Sequence, residues 1–216
     1  MPHREALYSV REEILHSITH GLGALLSIAG LVLLVTFAAL RSDVWSVVSV
    51  SIFGGSLVLL YLTSTLYHGF PWPRAKMIFR KLDHAAIYLL IAGSYTPFVL
   101  VNLRGTWGWT LFGIVWGLAL LGILFEVLLK RPPKWLSLGF YLGLGWMVLV
   151  AAKPLIESVP ALGLLFLALG GLSYSLGTVF YAWKKLPYHH AIWHCFVIGG
   201  SVLHFFSVFY SVIPEA

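Results

Sequence analysis

Apolar residues run through this chain in long continuous stretches rather than in narrow stripes. A helix needs ~20 mostly apolar residues to span a bilayer. Seven stretches are of that kind, at residues 18–40, 44–67, 82–103, 107–129, 135–152, 161–183 and 190–213. Short polar breaks divide them, among them Arg41-Ser42-Asp43, Arg74 to Lys81, Arg104-Gly105, Lys130 to Lys134, Lys153-Pro154 and Lys184 to Pro187. Strands of a transmembrane barrel are ~10 residues long and alternate strictly, so the pattern predicts helices. The expected architecture is an all-α polytopic membrane protein with seven transmembrane helices over residues 18–213, preceded by segment 1–17 and followed by tail 214–216.

The leading segment carries Arg4, Glu5, Arg11, Glu12 and Glu13, and the apolar run behind it is too long for a cleavable signal. Leu7, Val10, Ile14 and Ile18 recur at helical spacing, which suits an amphipathic interfacial helix or a solvated helical tail.

Composition supports the membrane reading. The 216 residues are 59% hydrophobic and 10% charged, against about 45–50% and about 25% in soluble domains. That leaves too few polar side chains to cover a water-facing surface, and it excludes disorder, coiled coil and an ordinary soluble enzyme. Cytoplasmic loops collect Lys and Arg. Eleven of the fourteen fall on the N-terminal side of the alternating loops and three on the other, so the N-terminus is expected in the cytoplasm and the C-terminus outside. The net charge of +6 follows from this bias and from anionic headgroups, without a nucleic-acid partner. The expected location is a bacterial plasma membrane. An inside N-terminus is opposite to G-protein-coupled receptors, and residues 190–213 lack the lysine a retinal protein needs. The single Cys195 forms no intrachain disulfide.

Ionisable groups inside a span are costly and mark function by default. Here they cluster. Ser64 and His68 lie four residues apart and share a helix face, Asp83-His84 opens the third span, and His190 and His194 open the seventh, again at i, i+4. With the expected topology all of them fall in one leaflet. Three imidazoles brought together suit a metal, with His68, His190 and His194 as ligands. Zinc with three protein ligands and an open fourth position is the catalytic pattern, although copper, nickel and iron accept the same donors. Asp83 is placed to accept a proton from water activated there, and Ser64 to hydrogen-bond that water or a developing oxyanion.

The same residues carry a resemblance. Ser64-Thr-Leu-Tyr-His68, Lys81-Leu-Asp83-His84, Tyr88 through Gly93-Ser-Tyr-Thr-Pro97, His190-Ala-Ile-Trp-His194 with His204, and Glu12-Glu13 through Ser17-Ile-Thr-His20-Gly21 resemble the hemolysin III branch of the progestin and adipoQ receptor family. The likeness spans essentially the whole chain. It departs at His16, where the family pattern Glu-Glu-x-x-Asn implies asparagine. The resemblance implies seven helices with the N-terminus inside. It also implies Zn2+ on His68, His190 and His194, with Asp83 and Ser64 beside it. Relatives that include adiponectin receptors and, more distantly, alkaline ceramidases imply a membrane lipid as substrate or ligand and hydrolysis of a lipid amide.

Three functions follow as expectations. The first is a zinc-dependent hydrolase of lipid amides or esters in membrane-lipid homeostasis. The second is a receptor-like membrane regulator with structural zinc, and the third a pore-forming cytolysin. Of the other polar residues, His20 is expected to make a polar contact at the first helix entry and His204 an interhelical hydrogen bond. His84 and His189 are expected to face away from the ligands, and Glu126 to pair with Lys130. Pro97 should kink the third helix, and the paired and clustered glycines, Gly54-Gly55, Gly139, Gly143, Gly145, Gly170-Gly171 and Gly199-Gly200, should mark close helix packing.

Overall fold

A computed structural model describes residues 8–129 and 133–214. Among the described residues it is all-helical, with seven helices long and apolar enough to cross a membrane: α1 Val10–Arg41, α2 Val44–Gly69, α3 Pro73–Asn102, α4 Thr106–Leu128, α5 Lys134–Ser158, α6 Ala161–Ala182 and α7 His189–Val212. Successive helices are neighbours, and α7 returns to pack on α1.

Local chemistry sets where the helices begin. Ser9 caps α1 with a reciprocal pair of bonds: its Oγ accepts from Glu12 N–H, and the Glu12 carboxylate accepts from Ser9 N–H at 2.9 Å. α1 therefore runs unbroken from Val10, and Glu13 and His16 lie in its first turns ahead of the apolar run. Pro73 occupies the first helical position of α3, where a missing N–H costs nothing. The basic residues Arg74, Lys76, Arg80 and Lys81 are accordingly helical rather than loop.

α3 is the centre of the bundle, with two-thirds (67%) of its apolar window buried. Its Tyr88 and Ala92 join Leu34 of α1, Phe53 and Leu57 of α2, Val115 of α4 and Val208 of α7 in one apolar core. Association inside lipid depends on close backbone approach at small residues. A Cβ on Gly23 would stand 2.5 Å from the Tyr61 ring, and one on Gly200 would stand 2.8 Å from that of Tyr174. Both tyrosines reach Ser201 Oγ, at 2.8 and 2.9 Å, and so tie α2, α6 and α7 together. Gly54 and Gly170 are also close-packed, whereas Gly55, Gly139, Gly143 and Gly145 face open space and do not serve helix contact.

Two helices are irregular within the membrane. After Pro97, α3 widens into a π-helical turn over Phe98–Asn102, as the proline supplies no N–H to the ladder. α5 tightens to a 3-10 segment over Trp146–Ala151, then resumes as Ala152–Ser158 with Pro154 near the new start. Backbone groups freed in hydrocarbon need internal partners, and Tyr95 of α3 provides them. Its hydroxyl accepts from Val148 N–H at 2.8 Å and shares its single proton between the carbonyls of Leu144 and Gly145, at 2.9 and 2.7 Å.

Tyr95→Phe strands those groups, and the expected result is a destabilisation of about 1–3 kcal/mol, read as a lower melting temperature in detergent. An unchanged melting temperature would show that Tyr95 does not hold the break.

Candidate metal centre

α1, α2 and α7 converge at the end of the bundle that carries Tyr8. α1 contributes His16 and His20 one turn apart, α2 contributes Ser64 and His68, and α7 contributes His190 and His194, all of them buried. The rings of His68, His190 and His194 lie together, with centroids 5.2 Å apart for His68–His190, 5.3 Å for His68–His194 and 4.5 Å for His190–His194. His16 stands among them, 4.8 Å from both His68 and His190 and 5.3 Å from His194. The nitrogens that converge within 4.8 Å of one another are those of His16, His68 and His190. His194 stands at their edge, stacked on His20 at 3.4 Å.

Hydrogen bonding fixes the tautomers. His68 Nδ1 lies 2.7 Å from a carboxylate oxygen of Glu13, which can only accept, so Nδ1 carries the proton and the Nε2 lone pair points inward. The other Glu13 oxygen pairs with Lys76 Nζ at 2.8 Å, which anchors α3 to α1. A carboxylate behind a ligating histidine orients the ring and raises its basicity. Thr19 Oγ1 donates to backbone carbonyls of α1 and sits 3.0 Å from His194 Nδ1. That nitrogen therefore donates, which leaves Nε2 as the free donor atom.

Among the described residues, both ring nitrogens of His16, Nε2 of His20 and His68, and Nδ1 of His190 are buried without a partner. Each such atom costs about 1–3 kcal/mol, and their concentration in one place points to a shared ligand that accepts lone pairs. These residues fit a divalent transition metal.

Tyr8 closes the cluster from the N-terminal side. Its ring stacks on His190 at 5.1 Å and meets His16 edge-on at 4.8 Å. Burial pushes the Tyr8 phenol well above its ordinary value, so it stays neutral over the imidazoles. On the opposite side His20, Ser64, Asp83, His190 and His194 line a cavity of about 1030 Å³. This cavity continues toward apolar residues of α3, α4 and α5, including Leu103, Leu111 and Leu155. Ser64 Oγ is 2.7 Å from His20 Nδ1. Asp83 is a half-buried part of the wall and lies outside the converging ligand atoms. Lys184, in the loop before α7, is pushed down to about 8 by burial and by the charge of Lys134.

Some polar residues have different partners from those expected. Glu126 accepts from Ser137 Oγ and lies 3.5 Å from His84 Nδ1; Lys130 is outside the described residues. His204 bonds Gly200 of its own helix at 3.0 Å, and its interhelical contact is packing against Gly170. His16, Glu13 and Tyr8 lie at the cluster, although sequence reasoning read the leading segment as an amphipathic interfacial helix or a solvated helical tail. One signal was available: His16 and His20 repeat the i, i+4 spacing of His190 and His194.

Comparison with known proteins gives the family. A family profile described as "Haemolysin-III related" matches residues 8–205. The chain belongs to that family. It is 52% identical over 207 residues to the "Hemolysin-3 homolog" of Bacillus subtilis (strain 168), covering 95% of this chain and 97% of that one. It is 48% identical to "Hemolysin-3" of Bacillus cereus, covering 96% and 94%. The human "Monocyte to macrophage differentiation factor" is 30% identical over 175 residues, covering 78% and 72%. With seven spans and these bacterial relatives, this family member fits a multi-pass plasma membrane protein.

Glu13→Ala is expected to lower metal affinity by about 10–100-fold, measured by chelator competition in detergent. Affinity equal to that of the native protein would remove Glu13 from the centre.

Proposed function

We propose that the protein is a zinc-dependent hydrolase of lipid amides or esters that works from within the bilayer in membrane-lipid homeostasis. The observation that carries this reading is a set of buried imidazoles with unpartnered nitrogens at one end of a long, mostly apolar cavity. Zinc held there supplies Lewis acidity and makes water acidic enough to react near neutral pH.

The chain's own residues have separate tasks in this reading. His68, His190 and His194 hold the metal, with His68 oriented by Glu13. Asp83, on the cavity wall, takes the proton from the attacking water and returns it to the leaving group. Ser64, fixed by His20, donates to the carbonyl oxygen as charge develops on it. The apolar walls seat the acyl chain and exclude water from it. Arg80 and Lys81 line the cavity near Asp83 and His84, and the Lys and Arg bias supports a cytoplasmic face on that side.

A second reading, a receptor-like regulator with structural zinc, is favoured by one observation: His16 adds a further imidazole where a catalytic site would keep an open position. The cavity walls at its far end are apolar, which gives no support to a monomeric ion pathway.

The test is metal content of the detergent-purified protein beside a variant with His68, His190 and His194 replaced by alanine, followed by a screen of lipid amides and esters with Asp83→Ala as control. The expected outcome is about one zinc per chain, lost in the variant, with turnover lowered at least ~100-fold by Asp83→Ala. Stoichiometric zinc without turnover of any lipid would favour the regulator.

A further inference from the structure

The cavity beside the imidazoles has a second polar group in its wall, on α3, α4 and α5. α4 brings Glu126 there in its last turn, and only 3% of the residue is exposed. Oε1 accepts from the Ser137 hydroxyl and lies 3.4 Å from that of Tyr141, both on α5. Oε2 has His84 Nδ1 of α3 at 3.5 Å, beyond an ordinary hydrogen bond. Among the described residues His84 is the only ionic neighbour of this carboxylate. Holding α5 in place would need no more than an uncharged acceptor for two hydroxyls. A carboxylate away from water is costly until a cation or further N–H donors complete it, and inside a span such a group marks function.

Basic groups stand in the adjoining layer. α3 and α5 run parallel, as the bonds from Tyr141 to His84 and from Val148 to Tyr95 show. Lys81 precedes His84 by three residues on α3, and Lys134 precedes Ser137 by three on α5. Both lysines are therefore one turn, ~4.5 Å, nearer the helix starts than the residues around Glu126. Lys81 Nζ donates to the Val127 carbonyl at 2.6 Å, which holds its charge beside Glu126 with two N–H groups to spare. Lys81, Lys134 and Arg80 all line the same cavity.

We propose that this wall is a headgroup site for a phospholipid bearing a primary ammonium, with the ammonium on Glu126 and the phosphate on Lys81 and Lys134. The proposal rests on the reading of the cavity as a lipid site and names the class of lipid. Charge complementarity selects the occupant. A carboxylate one turn from basic groups matches a head in which two carbons separate the anion from the cation. An anionic head without the amine leaves Oε2 unfilled and sets a like charge near it, and a trimethylated amine has no N–H to donate. The acyl chains then follow the apolar wall past Leu103, Leu111 and Leu155.

The experiment is a lipid titration of the full-length protein in detergent, read by native mass spectrometry. The probes are phosphatidylethanolamine, phosphatidylcholine and phosphatidylglycerol with the same acyl chains. The ethanolamine lipid is expected to bind about 10–100-fold more tightly than the other two, the worth of a hydrogen bond to a charged group. Glu126→Gln is expected to remove that preference, and Lys134→Gln to weaken the ethanolamine and glycerol lipids alike. Equal binding of all three by the native protein, or a preference that survives Glu126→Gln, would overturn the assignment. Displacement of the lipid by soluble phosphoethanolamine at matched concentration would overturn it in favour of a free headgroup compound. Should Glu126→Gln fail to fold, the three lipids on the native protein still decide. Binding is read without turnover, so the headgroup preference stands or falls separately from zinc content and hydrolysis.

Discussion

Bringing several imidazoles into a dry interior is the constraint on which this structure turns. Each neutral imidazole carries one N–H to be accepted and one lone pair to be filled. The outward atoms are satisfied by neighbours: His68 by Glu13, His194 by Thr19 and His20 by Ser64. Nitrogens of His16, His20, His68 and His190 have no partner among the described residues, an arrangement that a cation would complete. Such a cluster also ties three helices into one unit. α1, α2 and α7 cannot slide past one another without separating the rings.

The rest of the bundle serves the space beside that cluster. α3, at the centre, packs tightly through Tyr88 and Ala92, while α5 and α6 bury much less of their surface against other helices. The cavity lies among these loosely packed elements. Its wall includes the broken stretch of α5, and Tyr95 makes that break tolerable by supplying a hydroxyl to three backbone groups that the hydrocarbon cannot solvate. One aromatic residue on a well-packed helix thus allows irregular backbone beside a cavity of about 1030 Å³. The family is named for haemolysis, yet the features of this chain that demand explanation are a cluster of buried imidazoles and a mostly apolar cavity beside it.

Much of this was legible in the residues. Runs of ~20 apolar residues are specified by bilayer thickness alone, so the seven helices needed no tertiary information. The i, i+4 pair His190 and His194, with His68 from another span, was legible because histidine in hydrocarbon is rare enough to stand out. Helix starts were less so. Arg74 to Lys81 read as loop because charge was taken to mark the boundary, although Pro73 starts α3 ahead of them. Glu13 and His16 lie in a charged stretch where polar residues raise no suspicion, and their place in the centre went unseen.

The sequence by itself determined what the membrane demands: helical spans, their number, and which rare polar residues have to be explained. These are local properties, because hydrocarbon acts on each segment separately. Only the tertiary structure decided which polar groups share a site. It placed His16 beside His68 and His190, put Glu13 behind His68, and set Asp83 on the cavity wall rather than among the converging nitrogens. It also separated the glycines that allow close helix approach from those that face open space. Those outcomes depend on helix rotation and on which helices become neighbours. Both are set by packing between segments far apart in the chain, and no periodicity within a single segment encodes them.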